Sequence, residues 1–113
     1  MTFEEYETRC GETALYPATP AVAGKVSLYP VLGLVGEAGE IAEKTKKLIR
    51  DKGNTLDESS RQEIGKELGD VLWYLCRCAN EFGFSFDEIA RRNIEKLSSR
   101  KERNVLHGDG DNR

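Results

Sequence analysis

One histidine, three cysteines and no long apolar run leave this chain poorly equipped for zinc, disulfide or membrane chemistry. His107 stands late in the chain in a glycine-rich stretch, and Cys76-Arg77-Cys78 is not a zinc-ligand spacing, so zinc is not expected. Three is an odd number of cysteines, and Cys76 and Cys78 are too close along a helix for an ordinary disulfide. Buried thiols in a reducing cytoplasm are expected instead. No segment approaches the ~18 apolar residues that a membrane span needs. The acidic start Met1-Thr2-Phe3-Glu4-Glu5 lacks the apolar region of a signal peptide. Positive charge is not in excess either. With 17 Lys and Arg against 20 Asp and Glu, the net charge is -3, which argues against a general nucleic-acid binder with its basic stripe. The 113 residues have room for one modest core, for which assembly into an oligomer is expected.

What is present is helical. Thr2/Glu5, Thr55/Glu58 and Ser85/Glu88 each place a Glu three residues after a Ser or Thr, the pattern of a capping box at a helix start. The expected helices run over about 3–14, from near Pro30 to Arg50, from Asp57 to Phe82, and from Phe86 to Lys101, with Gly53 and Gly83 as stops. No alternating strand pattern and no repeat is evident. Ile64, Leu68, Val71, Leu72, Leu75, Cys76, Ala79 and Phe82 form the clearest apolar stripe, beside a polar one of Glu67, Asp70, Tyr74, Arg77 and Glu81. Leu32, Val35, Ala38, Ala42 and Leu48 form another, with Leu34 and Ile41 next to it. The expected fold class is all-α, an antiparallel bundle of about four helices with one acidic edge to its core. It spans 1–101, with a loop-like tail over 102–113.

That edge comes from two acid pairs, Glu37-Ala38-Gly39-Glu40 and Glu67-Leu68-Gly69-Asp70. Residues three apart on a helix share a face, so each pair presents two carboxylates side by side. Two such charges ~4 Å apart repel by roughly 4 kcal/mol at an effective dielectric of ~20. Protonation or a bound cation relieves this, and an all-oxygen donor set favours a hard ion such as Mg²⁺, with Mn²⁺ as a substitute. Gly33, Gly36, Gly39 and Gly69 are expected to let two helix backbones approach so that their carboxylates share the ion, or simply to permit tight packing. Lys44, Lys46, Lys47 and Arg50 read as a solvated basic cluster, and Glu43 as a surface partner of Lys47.

Acid pairs are common on charged helices; the longer string is more specific. Leu32-Gly33-Leu34-Val35-Gly36-Glu37-Ala38-Gly39-Glu40-Ile41, then Glu67-Leu68-Gly69-Asp70-Val71-Leu72-Trp73-Tyr74, then Asn93-Ile94-Glu95-Lys96-Leu97 and Arg100, closely resembles the MazG-like all-α nucleoside triphosphate pyrophosphohydrolases over about 30–101. The ending 108–113 is similar to tails of small phage-encoded and bacterial members. The resemblance implies Mg²⁺-dependent hydrolysis of a (deoxy)nucleoside triphosphate between the α and β phosphates by a homo-oligomer, a dimer or tetramer, in the cytoplasm or a phage host's cytoplasm. It implies Glu37, Glu40, Glu67 and Asp70 as metal ligands, with Glu37 or Glu40 also holding the attacking water. Asn93, Lys96 and Arg100 become nucleotide contacts, and Trp73 and Tyr74 candidates to stack on the base, although Trp73 also suits a core or subunit interface. Tyr6, Arg9 and Cys10 are further base-pocket candidates. One departure stands out: the family's first motif often starts with two adjacent acids, and Gly36 occupies the first of those positions. The competing expectation is a non-enzymatic helical interaction module with a structural cation site. A di-iron carboxylate bundle lacks its E-x-x-H histidines, and the box and sheet of a Nudix hydrolase are missing.

Overall fold

A computed structural model describes residues 1–113. Four helices carry the chain, α1 (Phe3–Glu12), α2 (Tyr29–Asp51), α3 (Glu58–Glu81) and α4 (Phe86–Glu102), and the fold class is all-α as expected. No helix is long and apolar enough to cross a membrane.

The helix starts follow local chemistry. Thr2 and Glu5 form the complete reciprocal box at α1. At α4 the Ser85 hydroxyl accepts from the Glu88 amide at 3.1 Å, while the Glu88 carboxylate turns instead to Arg92. The Thr55/Glu58 box does not form. Asp57 caps α3, accepting from the Ser60 amide at 2.7 Å, and the Thr55 hydroxyl donates back to the Lys52 carbonyl at 2.6 Å. A carboxylate two residues further on outcompetes the hydroxyl, because its charge also complements the positive end of α3. α2 has Pro30 in its first turn, and Gly53 and Gly83 adopt left-handed φ of +61° and +83° where the chain leaves α2 and α3. One element was not expected: β1 (Ala21–Val22) pairs antiparallel with β2 (Val26–Ser27) between α1 and α2. Two-residue strands are too short to show alternation.

α2 and α3 form a long antiparallel hairpin, while α1 and α4 pack on each other and on α3. The core lies at that junction, where Cys10, Cys76 and Phe86 cluster with Tyr6 and Trp73 against them. Only 8 of the 113 residues are buried, and none of them falls between residues 31 and 75. The Cα radius of gyration is 17.2 Å, against about 13 Å for a compact domain of this length. Much of the expected apolar stripe therefore lies outside the protomer's core. Leu68 is 54% exposed, Leu32 67% and Val35 69%, and Leu72, Leu75 and Phe82 are exposed too.

The glycine expectation is corrected in the same way. A Cβ at Gly33 would collide with the Tyr74 ring, so here glycine does admit a neighbour from the facing helix. Gly36, Gly39 and Gly69 face open space. They line the exposed face and bring no backbones together within the protomer.

The tail folds back on α4. Arg100 is buried at 5% exposure, and its guanidinium donates to the Asp111 carbonyl at 2.5 Å. Arg103 donates to the Arg113 carbonyl, and Arg113 to the Val105 and Leu106 carbonyls. Arg100 was expected beside Asn93 and Lys96 as a nucleotide contact. Its guanidinium is instead committed to the tail, because α4 ends there and the returning chain covers it.

Candidate metal and nucleotide site

The α2–α3 hairpin arranges its facing side chains in layers. Nearest the head is an aromatic layer. The Tyr16 and Tyr29 rings stack at 5.5 Å, Trp73 meets Tyr16 edge-on at 6.2 Å, and Trp73 and Tyr74 are perpendicular at 5.0 Å. The Trp73 indole N–H donates to the Thr13 hydroxyl at 2.9 Å, which ties α3 to the end of α1. Trp73 is thus half-buried against the core, and one side of it still borders a cleft of about 190 Å³. Tyr6, Arg9, Cys10 and Thr13 complete most of that cleft's lining. The three base-pocket candidates of the first helix and Trp73 therefore share one cavity. Tyr74 lies beside it, over Gly33.

The next layer is acidic. Glu37 of α2 and Glu67 and Asp70 of α3 offer carboxylate oxygens that all lie within 4.8 Å of one another. The Glu37 carboxyl is raised above the usual range by burial first, then by a hydrogen bond with Glu67 and the negative charge of Asp70, Glu67 and Glu40. The same field reaches the aromatic layer: burial, then Tyr29, then Glu37 and Asp70 push the Tyr74 phenol upward. Three of the four expected ligands are thus together. Glu40, one turn along α2, is exposed and stands outside the trio. A concentrated, all-oxygen donor set whose charges destabilise one another fits a hard divalent cation.

Beyond the acids the hairpin turns basic. The Lys44 ammonium lies 3.4 Å from Glu67, so Lys44 borders the acid cluster and does not join the solvated lysines as expected. Lys46 and Lys47 both pair with Glu43, at 2.7 and 3.6 Å, and hold its carboxyl below the usual range. Glu43 is thereby engaged away from the trio and does not replace the acid missing at Gly36. Asn93 and Lys96 are exposed on α4.

The model of the MazG nucleotide pyrophosphohydrolase domain matches residues 28–105, the segment that carries α2, α3 and α4. The chain belongs to the MazG family. The Gene 37 protein of Mycobacterium phage L5 is 42% identical over 114 residues, across the whole of both chains. The protein YvdC of Bacillus subtilis strain 168 is 31% identical over 74 residues, covering 61% of this chain and 70% of its own. No solved structure matches. Membership places this chain among nucleotide pyrophosphohydrolases, a family whose members are typically metal dependent, and the whole-length likeness to a phage protein fits a small phage-type MazG. The acidic and basic layers, α4, and Tyr29, Trp73 and Tyr74 of the aromatic layer fall within the matched segment; Tyr16 and α1, which walls the aromatic cleft, precede it.

Proposed function

We propose that this MazG protein hydrolyses a (deoxy)nucleoside triphosphate between its α and β phosphates, releasing the monophosphate and pyrophosphate with Mg²⁺, or Mn²⁺ in its place, as cofactor. The observation that carries this reading is the trio Glu37, Glu67 and Asp70, gathered within 4.8 Å from two facing helices inside the family's matched segment. Glu37, Glu67 and Asp70 would hold a divalent ion, which would supply charge stabilisation at the phosphoryl oxygens and a bound water of lowered pKa.

The chain's own groups divide the remaining work. The trio fixes where the polyanion docks, because a triphosphate approaches carboxylates only across shared cations. Glu40, outside the trio yet within the field that acts on Glu37, is the carboxylate left to orient the attacking water and accept its proton. The base lies in the cleft lined by Trp73, Tyr6, Cys10 and Arg9, with Tyr74 adjoining it. Asn93 and Lys96 meet the nucleotide from α4.

The protein works as a homo-oligomer, dimer or tetramer, in the cytoplasm of a cell or phage host. An exposed apolar face of this breadth, running along both helices of a hairpin that has little buried core, is covered by the same face of a second copy.

Incubation with each triphosphate and Mg²⁺, with products resolved, tests the reading. Monophosphate and pyrophosphate are expected; diphosphate and orthophosphate, or no turnover of any triphosphate, would refute it.

A further inference from the structure

Between the C-terminal turns of α2 and the first turns of α3 lies a second cleft, of about 200 Å³, whose lining includes Lys44, Lys47, Lys52, Ser60 and Glu63. It adjoins the acid trio directly, because Lys44 lines the cleft and also sits 3.4 Å from Glu67. Its opposing charges are already engaged. Glu63, the acid in its lining, pairs with Lys66 at 3.0 Å, while Lys47 and Lys52 hold exposed partners, Glu43 at 3.6 Å and the α3 cap Asp57 at 3.4 Å, which a phosphate can displace. The Lys52 ammonium also donates to the Ser60 hydroxyl at 2.9 Å, so it is held at the cleft.

Lys44 differs from its neighbours. Like Lys47 and Lys52 it has one ion-pair partner, here Glu67, but this pair is the more sheltered, with side-chain exposures of 31% and 17%. A cation held by Glu67 would share that carboxylate's charge and weaken the pair. Lys44 would then face the cleft with Glu63, itself paired with Lys66, as its neighbouring acid, next to where a bound phosphate chain must continue. The hairpin thus runs in one order, with aromatics, carboxylates and then lysines. A nucleoside triphosphate runs in a matching order: base, metal-bridged phosphates and terminal phosphates.

We infer that the Lys44–Lys47–Lys52 cleft is a diphosphate subsite, which holds the β and γ phosphates of the substrate and then the pyrophosphate product, with Lys44 as the contact that passes from Glu67 to phosphate. This rests on the hydrolytic reading above and adds to it a cationic subsite in the same protomer, separate from Asn93 and Lys96. Lysine suits the role as a compact point charge on a flexible stem that can exchange one anionic partner for another.

Calorimetry with inorganic pyrophosphate, in the presence of saturating Mg²⁺, reads the subsite directly and needs no turnover. Lys44→Gln is expected to weaken pyrophosphate binding about tenfold, and Lys47→Gln/Lys52→Gln by about threefold to tenfold. Affinity for Mg²⁺ alone should stay the same or tighten in Lys44→Gln, since a competitor for Glu67 is gone. Lys44→Arg should recover most of the loss, and KM for the triphosphate should rise more than kcat falls. The inference is overturned if wild-type protein does not bind pyrophosphate, or if a Lys44→Gln/Lys47→Gln/Lys52→Gln variant with unchanged thermal stability binds it as tightly as wild type. Pyrophosphate binding that depends on these lysines, in a protein with no hydrolysis, would sink the enzymatic reading and leave the subsite standing. Normal hydrolysis with lysine-independent binding would do the opposite.

Discussion

The head and the arm of this molecule are held together in different ways. At the head, where α1, α4 and the end of α3 meet, residues distant in sequence are tied by burial and by long-range polar bonds. The Glu7 carboxylate accepts from the Asn80 side chain and from the Phe86 amide. The Tyr16 hydroxyl donates to Glu81 at 2.8 Å, and Glu81 accepts from the Ser27 amide at 3.1 Å. Cys76 is fully buried beside Cys10, and that burial, with the Cys10 thiol as neighbour, pushes its own thiol up to about 12, so it stays protonated and inert. Along the arm, α2 and the first two-thirds of α3, polar pairs are mostly one turn apart on one helix and exposed, such as Lys46–Glu43 and Lys66–Glu63. Such pairs contribute little. The head supplies most of the protomer's stability, while the arm carries the carboxylates and leaves its apolar face exposed. The proposed site thus lies on the less self-sufficient half.

The sharpest test of that division is to remove the carboxylates. Glu67→Gln/Asp70→Asn should cut turnover by about 10³-fold, the several kcal/mol that a bound cation supplies at the phosphoryl oxygens. Its thermal midpoint without metal should be equal or higher, since mutual repulsion is relieved. Rates and melting curves on one preparation check both; a large drop in stability would make the acids structural. Next in size, Phe86→Ala should cost the head about 3–5 kcal/mol in urea unfolding, an effect that a surface ring would not produce.

Leu68→Glu/Leu72→Glu should shift the sedimentation mass toward the monomer while near-UV signals from the head persist. An unchanged mass would leave the arm without its proposed cover. A smaller effect concerns pH. Because the Glu37 carboxyl is raised in the folded protein, its contribution to stability without metal is present at low pH and lost as pH rises through the raised value. Mg²⁺ should therefore raise the thermal midpoint at pH 7.5 by several degrees and much less at pH 4, where protons compete with the ion for the Glu37 carboxyl. Equal stabilisation at both values would place the ion elsewhere. The smallest effect separates two glycines. Gly33→Ala should destabilise by forcing Tyr74 out, whereas Gly69→Ala should gain up to about 1 kcal/mol in a monomer, and lose it if a second copy packs its backbone there.

Helix number, order and most ends were legible in the chain because capping and stop residues act within a few positions of themselves. The acid pairs were legible for the same reason, since a three-residue spacing fixes a shared face. What was lost is what depends on which face meets what. Leu68 and Cys76 belong to one apolar stripe by spacing, yet one is open and the other fully buried. Periodicity marks a face as apolar without saying whether its partner lies in the same chain. Arg100 and Lys44 were misplaced for a related reason, since a cation in a sequence does not reveal whether a tail carbonyl or a neighbouring carboxylate will reach it.

The amino-acid order alone determined the all-α class, the helix boundaries to within a few residues, and the two carboxylate pairs that mark the family, because each follows from interactions within a turn or two. Only the tertiary structure decided that Glu37, Glu67 and Asp70 converge while Glu40 stays apart, that Arg100 serves the tail, and that a lysine cleft adjoins the acids. Those outcomes depend on the register in which α2 lies against α3, and register is set by the summed packing of the whole hairpin, as where Tyr74 settles over Gly33.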